Sequence, residues 1–365
     1  MRAAEQSRDG GRRAPAPQAG GAPHGPLLVA GIDIGGTAVK IGLLVAAGEE
    51  AEIVAPGAAG ERRPAAEATI ETPLAADPAQ FVRAVAGALR SLAGDRRLAA
   101  VGVGCAGLVS SGSGIVHRSP NLPRWREAPL GELMRAALGA PVAVLNDANA
   151  FALAEARLGA ARGSSPVVAL TLGTGVGGAI VEDGLLRGGR HGFGGEAGHM
   201  SVDLEGPVCP CGQRGCLELF VGRRGLVRAY RRRARWAAGE AGFDLAAGDE
   251  TRLTPKLMAE AAGRGDRAAA EAFRRAGEIL GGALASLSNL IDPQAFVIGG
   301  GIAQAGDLLF APARETLAER AMIGRERVAP ILEAALGYRA GMLGAALAAL
   351  DALGIREPAT GEAGS

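Results

Sequence analysis

A chain of 365 residues with 48% hydrophobic content can build one or two globular domains and is too apolar for a disordered polymer. Its 39 basic and 38 acidic residues leave a net charge of +1, so no global field draws it to nucleic acid or to an anionic membrane. Arginine carries nearly all of the positive charge; Lys40 and Lys256 are the only lysines.

Residues 1–26 contain charge but no apolar stretch, and they read as a disordered Gly/Pro/Arg-rich tail, not a secretory leader. The apolar run at 27–32 stops at Asp33, far short of a bilayer span. A cytoplasmic protein is the expectation. Next comes a strand through PLLVAGIDIG, a break at Gly35-Gly36, and a second strand at VKIGLLVA. Helical spacing marks 79–93, and buried strands are expected at 98–107 and at 141–147, the second followed by a helix over 149–159. Residues 166–184 read as a hairpin around a Gly-rich turn. Helices are expected near 223–237, 254–263 and 265–290, a strand at 295–303, a closing helix at 339–353, and a polar tail at 354–365. Alternating strands and helices define an α/β class. The Gly-rich turns at 35–36, 173–178 and 299–301 each follow an apolar strand. Together they suit backbone brought close to a phosphate chain from several sides, although none matches a Walker pattern.

Cysteine spacing supplies the sharpest signal. Cys209, Cys211 and Cys216 crowd into CPCGQRGC, ten residues after His199, while Cys105 stands alone. One imidazole and three thiolates suit a closed tetrahedral zinc site with no open position for water; the alternative is three buried thiols beside a core histidine. Glu196 and Glu218 flank this knuckle. They are either surface charges or acceptors for the hydroxyls of a polyol. Asn146-Asp147 ends the strand PVAVLND, where Asp147 is either a helix cap or a general base. Asn121 lies in the irregular loop SPNLP. Asp33 with Gly35, Gly36 and Thr37 is either a turn or a place where backbone, hydroxyl and Mg²⁺ meet phosphates.

DIGGT (33–37), PNLP (120–123), NDANA (146–150), LTLGTGVGG (170–178), GEAGHM (195–200), CPCGQRGCLE (209–218) and IGGGIA (298–303) occur in this order. The sequence resembles the ROK family of repressors and sugar kinases across roughly residues 27–350. The resemblance implies an actin-like ATPase (ribonuclease H-like) fold, a two-domain clamp with ATP and a sugar in its cleft. It implies lobes at 27–145 and 146–338, with 339–353 returning to the first. It assigns Asp147 as the base, and Asn121, Asn146, Glu196, His199 and Glu218 to sugar hydroxyls. Asp33, Gly35, Gly36, Thr37, Thr174, Gly175, Gly300 and Gly301 fall to nucleotide and metal. A structural Zn²⁺, Mg²⁺ with ATP, a hexose and a homo-oligomer complete the expectation. Two departures from common family patterns, Cys105-Ala106-Gly107 and LELFVG after Cys216, bear on sugar choice. A glucokinase is the first reading. N-acetylhexosamine or fructose kinases are alternatives within the family, and a sugar-sensing regulator is the alternative outside catalysis. The family's repressors carry an N-terminal winged helix, and a Gly/Pro-rich stretch of about 26 residues is too short for one.

Overall fold

The computed structural model describes residues 26–47, 52–54 and 64–355; the tails at 1–26 and 354–365 lie almost entirely outside them. Strand β1 (Leu27–Ile34) is buried along nearly its whole length, as its unbroken apolar sequence requires of a strand covered on both faces. It forms an antiparallel hairpin with β2 (Ala38–Ala47), which also pairs with β3 (Glu52–Val54) and β4 (Ala66–Glu71). Helix α1 (Pro78–Ala93) opens on an Asp77–Gln80 capping box and leads to β5 (Ala100–Cys105), parallel to β1. A small antiparallel sheet follows, made of β6 (Leu108–Ser110), β7 (Ile115–Arg118) and β8 (Arg126–Ala128). Then come α2 (Leu130–Leu138), β9 (Val142–Asn146) parallel to β5, and α3 (Asp147–Arg157).

The same pattern is then built again. Strands β10 (Val167–Leu172) and β11 (Val176–Glu182) form an antiparallel hairpin, with β12 (Leu185–Leu186) outside it. A helical stretch follows: α4 (Glu218–Val221), α5 (Arg223–Arg231), α6 (Ala241–Leu245), α7 (Pro255–Gly263) and α8 (Arg267–Ile291). Strand β13 (Ala295–Gly299) lies parallel to β10, and α9 (Asp307–Arg320) connects it to β14 (Ile331–Glu333), parallel to β13. Helix α10 (Ala340–Ala352) closes the chain. The two large sheets therefore share one order, β3-β2-β1-β5-β9 and β12-β11-β10-β13-β14.

Period-two alternation distributes the strands between layers. Val29 of β1 and Val167 and Ala169 of β10 join one core with Leu343, Leu347 and Leu350 of α10 and Leu153 of α3. Their neighbours face outward. Ala30 and Ile32 meet Phe81, Val85 and Leu89 of α1, while Val168 and Leu170 meet Phe273, Leu280 and Leu284 of α8. Helices α3 and α10 thus form a middle layer between two mixed sheets, with further helices outside each.

That middle layer is held by backbone-close contacts. A Cβ on Gly102 of β5 would overlap the carbonyl oxygen of Ala345, and one on Gly344 would overlap that of Ala150. The fully buried Glu155 of α3 accepts from the N–H groups of Ala335 (3.0 Å) and Leu336 (2.8 Å), pinning the segment that enters α10. Arg157 donates to both Asp351 oxygens at 2.8 and 3.0 Å.

Most expected elements form within a residue or two of their bounds. Two differences are informative. The helix expected over 223–237 stops at Arg231, because the run Arg231-Arg232-Arg233 has no apolar side chain to continue a buried face. The meander at 108–128 and helix α9 were not anticipated; the meander's strands are only three or four residues long and carry no readable period.

Replacing Gly102 by Ala forces α10 off the sheet and should destabilise by about 1–3 kcal/mol or more. Gly87, inside α1 with open space around its Cα, gives the opposite sign: Gly87→Ala should stabilise by about 0.5–1 kcal/mol. Urea midpoints of the two variants test the pair.

Candidate functional site

Three parallel strands, β1, β5 and β9, deliver their carboxyl ends to one place, where ligands gather in open α/β sheets. Asp33 lies at the end of β1. Lys40 is its direct partner across the hairpin and holds it at 3.4 Å. At the end of β9, Asn146 caps α3: its Oδ1 accepts from the N–H of Ala148 (2.8 Å) and Asn149 (3.2 Å), while its Nδ2 donates to the Gly107 carbonyl (2.9 Å). The cap is therefore Asn146, and its side chain also braces the Cys105-Ala106-Gly107 loop. Asp147 occupies the first helical position, where its carboxylate accepts from the Ala148 N–H at 3.0 Å. Burial, aided by the negative charges of Asp33 and Glu196, pushes its carboxyl up to about 6. Asp33 is also raised by burial, with Lys40 opposing the shift. Burial and the Asp147 charge push the Cys105 thiol up to about 12, so it is inert near neutrality.

The Gly-rich turns fall at the ends of the two sheets. The turn at Gly35-Gly36 is fastened by Thr72, whose hydroxyl donates to the Gly35 carbonyl at 2.8 Å, and Thr37 is exposed beside it. Asn121 reaches this turn: a Cβ on Gly36 would lie 3.1 Å from its Oδ1. In the second sheet, the turn after β10 places exposed Thr174 and half-buried Gly175 near α4, where a Cβ on Gly175 would lie 2.7 Å from Glu218 Oε2. Gly300 adopts φ 91° and abuts the Leu172 carbonyl, so only glycine fits; Gly301 beside it is exposed. These two turns share one end of the β10–β13 pair.

The knuckle is folded by its own backbone. Cys209 N–H donates to the Gln213 carbonyl (2.7 Å), Gly212 N–H to the Cys209 carbonyl (2.9 Å) and Leu217 N–H to the Met200 carbonyl (2.9 Å). The donor atoms of His199, Cys209, Cys211 and Cys216 all lie within 4.8 Å of one another. Cys211 and Cys216 sulfurs are 3.6 Å apart, and His199 Nδ1 is 3.7 Å from Cys209 Sγ. A tetrahedron with Zn–S bonds of about 2.3 Å has edges of about 3.8 Å, so the donor set fits zinc. Nδ1 is the nitrogen turned to the sulfurs, which leaves Nε2 for a different partner. Cys209 Sγ donates to Glu218 Oε1 at 3.3 Å. A metal-bound thiolate has no proton to donate, so zinc would release Glu218 from this contact. Glu196, three residues before His199, is raised by burial and by Glu218, with His199 opposing.

Asp33, Asp147, Glu196, His199 and Glu218 thus form one electrostatically linked series from the first sheet to the knuckle. Lys40 was not anticipated as part of it. Asp33 faces Lys40 because the hairpin is centred between Gly36 and Thr37, with Ile34 opposite Val39, a register that the Gly35-Gly36 break alone does not fix.

A model of the ROK family matches residues 29–352, and the chain belongs to that family. It is 36% identical over 322 residues to the glucokinase of Streptomyces coelicolor, covering 87% of this chain and 96% of that one. The structure is similar to that of a ROK family glucokinase from Streptomyces griseus in complex with glucose and AMPPNP. The TM-score is 0.73, with 35% identity and coverage of 89% of this chain and 99% of that one. The DNA-binding transcriptional repressor Mlc of Escherichia coli is 31% identical over 252 residues, 69% of this chain and 60% of the repressor. The fold is α/β with mixed sheets, of the actin-like ATPase class. Among the described residues no helix is long and apolar enough to cross a membrane.

Protein purified without a histidine tag should contain about one zinc per chain, and Cys211→Ser should lower that content. Metal analysis showing no zinc in a folded, active protein would count against the site. The raised Asp147 carboxyl also has a stability signature. Ionisation at about 6 when folded and about 3.9 when unfolded costs up to about 3 kcal/mol above pH 6. That cost falls to about half at pH 5 and is mostly gone by pH 4. Asp147→Asn should therefore be more stable than the wild type at pH 8 and nearly equal to it at pH 4, read by denaturant midpoints at each pH.

Proposed function

We propose that this chain is an ATP-dependent hexose kinase and that glucose is its substrate, phosphorylated on a hydroxyl. The observation that carries the reading is Asp147. It is a recessed carboxyl directly after β9, raised to about 6 by burial and by the charges of Asp33 and Glu196. The two-lobed arrangement, 27–145 with 339–353 against 146–338, would place the strand ends of both sheets across a cleft.

In this reading Mg²⁺·ATP is bound by backbone at Gly35, Gly36, Gly175, Gly300 and Gly301, with the Thr37 and Thr174 hydroxyls and the Asp33 carboxylate on the metal side. Sugar hydroxyls meet Glu196, Glu218 and His199 Nε2, with Asn121 and the remaining N–H of Asn146 adjacent. Asp147 accepts the proton of the attacking hydroxyl. The new bond joins that oxygen to the γ-phosphorus, the bond from the γ-phosphorus to the β,γ-bridging oxygen breaks, and ADP leaves with its charge neutralised by Mg²⁺. Zinc held by His199, Cys209, Cys211 and Cys216 would be structural, and the closed knuckle would fix the ring of His199 and the spacing of Glu196 and Glu218. The curated glucokinase and the glucose-bound structure support the sugar class. A sugar panel read by sugar-phosphate formation, with ATP and with polyphosphate as the donor, tests both choices. Sugar binding without sugar-phosphate formation would point instead to a regulator, the class of Mlc.

Two outcomes are expected. Asp147→Asn should lower kcat by about 10²–10⁴ while sugar binding persists. Because the base must be ionised, kcat/KM for the sugar should fall on the acid side through about pH 6. A variant with wild-type kcat would reduce Asp147 to a helix residue.

A further inference from the structure

Glu196 enters the site at the end of a segment that has little to hold it. Residues 187–195, RGGRHGFGG, run from β12 to the short helical turn Ala197–His199. Five of the nine are glycine, and Gly189, Gly192 and Gly195 have positive φ. The backbone is tied by Arg187 N–H to the Ile180 carbonyl and by Gly194 N–H to the Gly188 carbonyl. Phe193 is the only apolar side chain in the loop. It does not turn into the second sheet's core. Its ring meets that of His117 on β7, edge to face, with centroids 6.0 Å apart and planes at 77°. Phe193 leaves 36% of its surface exposed, and the His117 ring is the one aromatic partner found for it among the described residues.

His117 is itself immobilised. Its Nε2 is 2.7 Å from Ser110 Oγ on β6 and its Nδ1 is 2.9 Å from Glu127 Oε2 on β8. With both ring nitrogens held, the imidazole cannot rotate about χ2 without breaking two hydrogen bonds. Glu127 takes a left-handed backbone, φ 49°, uncommon for a residue with a side chain. All three strands of the small sheet thus contribute to fixing one ring, at the point where the loop from the second half of the chain touches it.

We propose that the Ser110–His117–Glu127 network is a latch for the 187–195 loop, and that His117 is a positioning residue that sets Glu196 against the sugar through Phe193. The sugar part rests on the kinase reading above; the loop-docking part does not. His117 touches no proposed substrate atom. It acts by fixing a ring, so the requirement is for an aromatic surface of fixed orientation, not for a titrating group.

The test uses the full chain with His117→Ala, Phe193→Ala, the double variant and His117→Phe. Both single alanine variants should raise the sugar KM by about 2–10-fold, the range expected for one aromatic pair, with ATP KM and melting temperature nearly unchanged. The double variant should be no worse than either single one, and His117→Phe, which keeps an aromatic face but loses both hydrogen bonds that orient it, should recover only part of the loss; full recovery would overturn the role of Ser110 and Glu127. Limited trypsinolysis supplies a readout independent of catalysis, since Arg187 and Arg190 lie in the loop: cleavage there should accelerate in both single variants and not further in the double. Unchanged cleavage, or effects that add, would overturn the latch whether or not the protein phosphorylates sugar. Altered cleavage with unchanged sugar KM in an active enzyme would overturn the link to Glu196. A wild type with no sugar turnover but latch-dependent cleavage would fail the kinase reading alone.

Discussion

The close approach of α3 and α10 governs the rest of the molecule. Each helix follows the last strand of one sheet and is pressed between both sheets, at distances that only glycine and alanine permit. Gly344 lies on the Ala150 carbonyl and Gly102 on that of Ala345. Because α3 begins at Asp147, any shift of the crossing moves the proposed base. Because α10 begins beside Asp33, whose carboxylate a Cβ on Gly341 would meet at 2.8–3.0 Å, the same shift would disturb the proposed metal-binding carboxylate. Packing and chemistry are therefore fixed by one helix pair. This is why buried side chains such as Glu155 are spent on holding the entry to α10.

The site gathers like charges at a cost. Asp33, Asp147, Glu196 and Glu218 lie in one series, with Lys40 as the near counter-charge at Asp33, and the three carboxyls Asp33, Asp147 and Glu196 are raised by burial. Such a cluster repels a bare triphosphate. On the proposed reading a divalent cation is needed first to reconcile phosphate with carboxylate, and only afterwards to stabilise the transferred group. The strain that lowers stability above pH 6 is the same that keeps Asp147 basic enough to take a proton.

Much of this was legible in the chain. Strong apolar strands such as LLVAGIDI and VVALTL announce themselves, and the knuckle's His/Cys spacing needs no neighbours to be read. The structure resolved ambiguities that depend on a few ångströms. Asn146, not Asp147, satisfies the helix N-terminus, which a sequence offering both residues leaves open. Asn121 arrives at the Gly36 turn because the small meander carries it there, and that meander's short strands leave no periodic trace. The pairing of His117 with Phe193 joins positions 76 residues apart in the chain through tertiary folding alone.

The ion pair between Lys40 and Asp33 has a practical corollary. With lysine present only at positions 40 and 256, the molecule offers amine-directed reagents two side chains besides its amino terminus. One of them, Lys40, with 32% of its side chain exposed, stands on β2 opposite Asp33 and beside Tyr338. Acylation there would erase the charge that steadies Asp33, and a ligand seated on the Gly35-Gly36 turn would shield it. Lys40 is thus a nearly unique chemical reporter built into this corner of the fold, one that a lysine-rich relative would not provide.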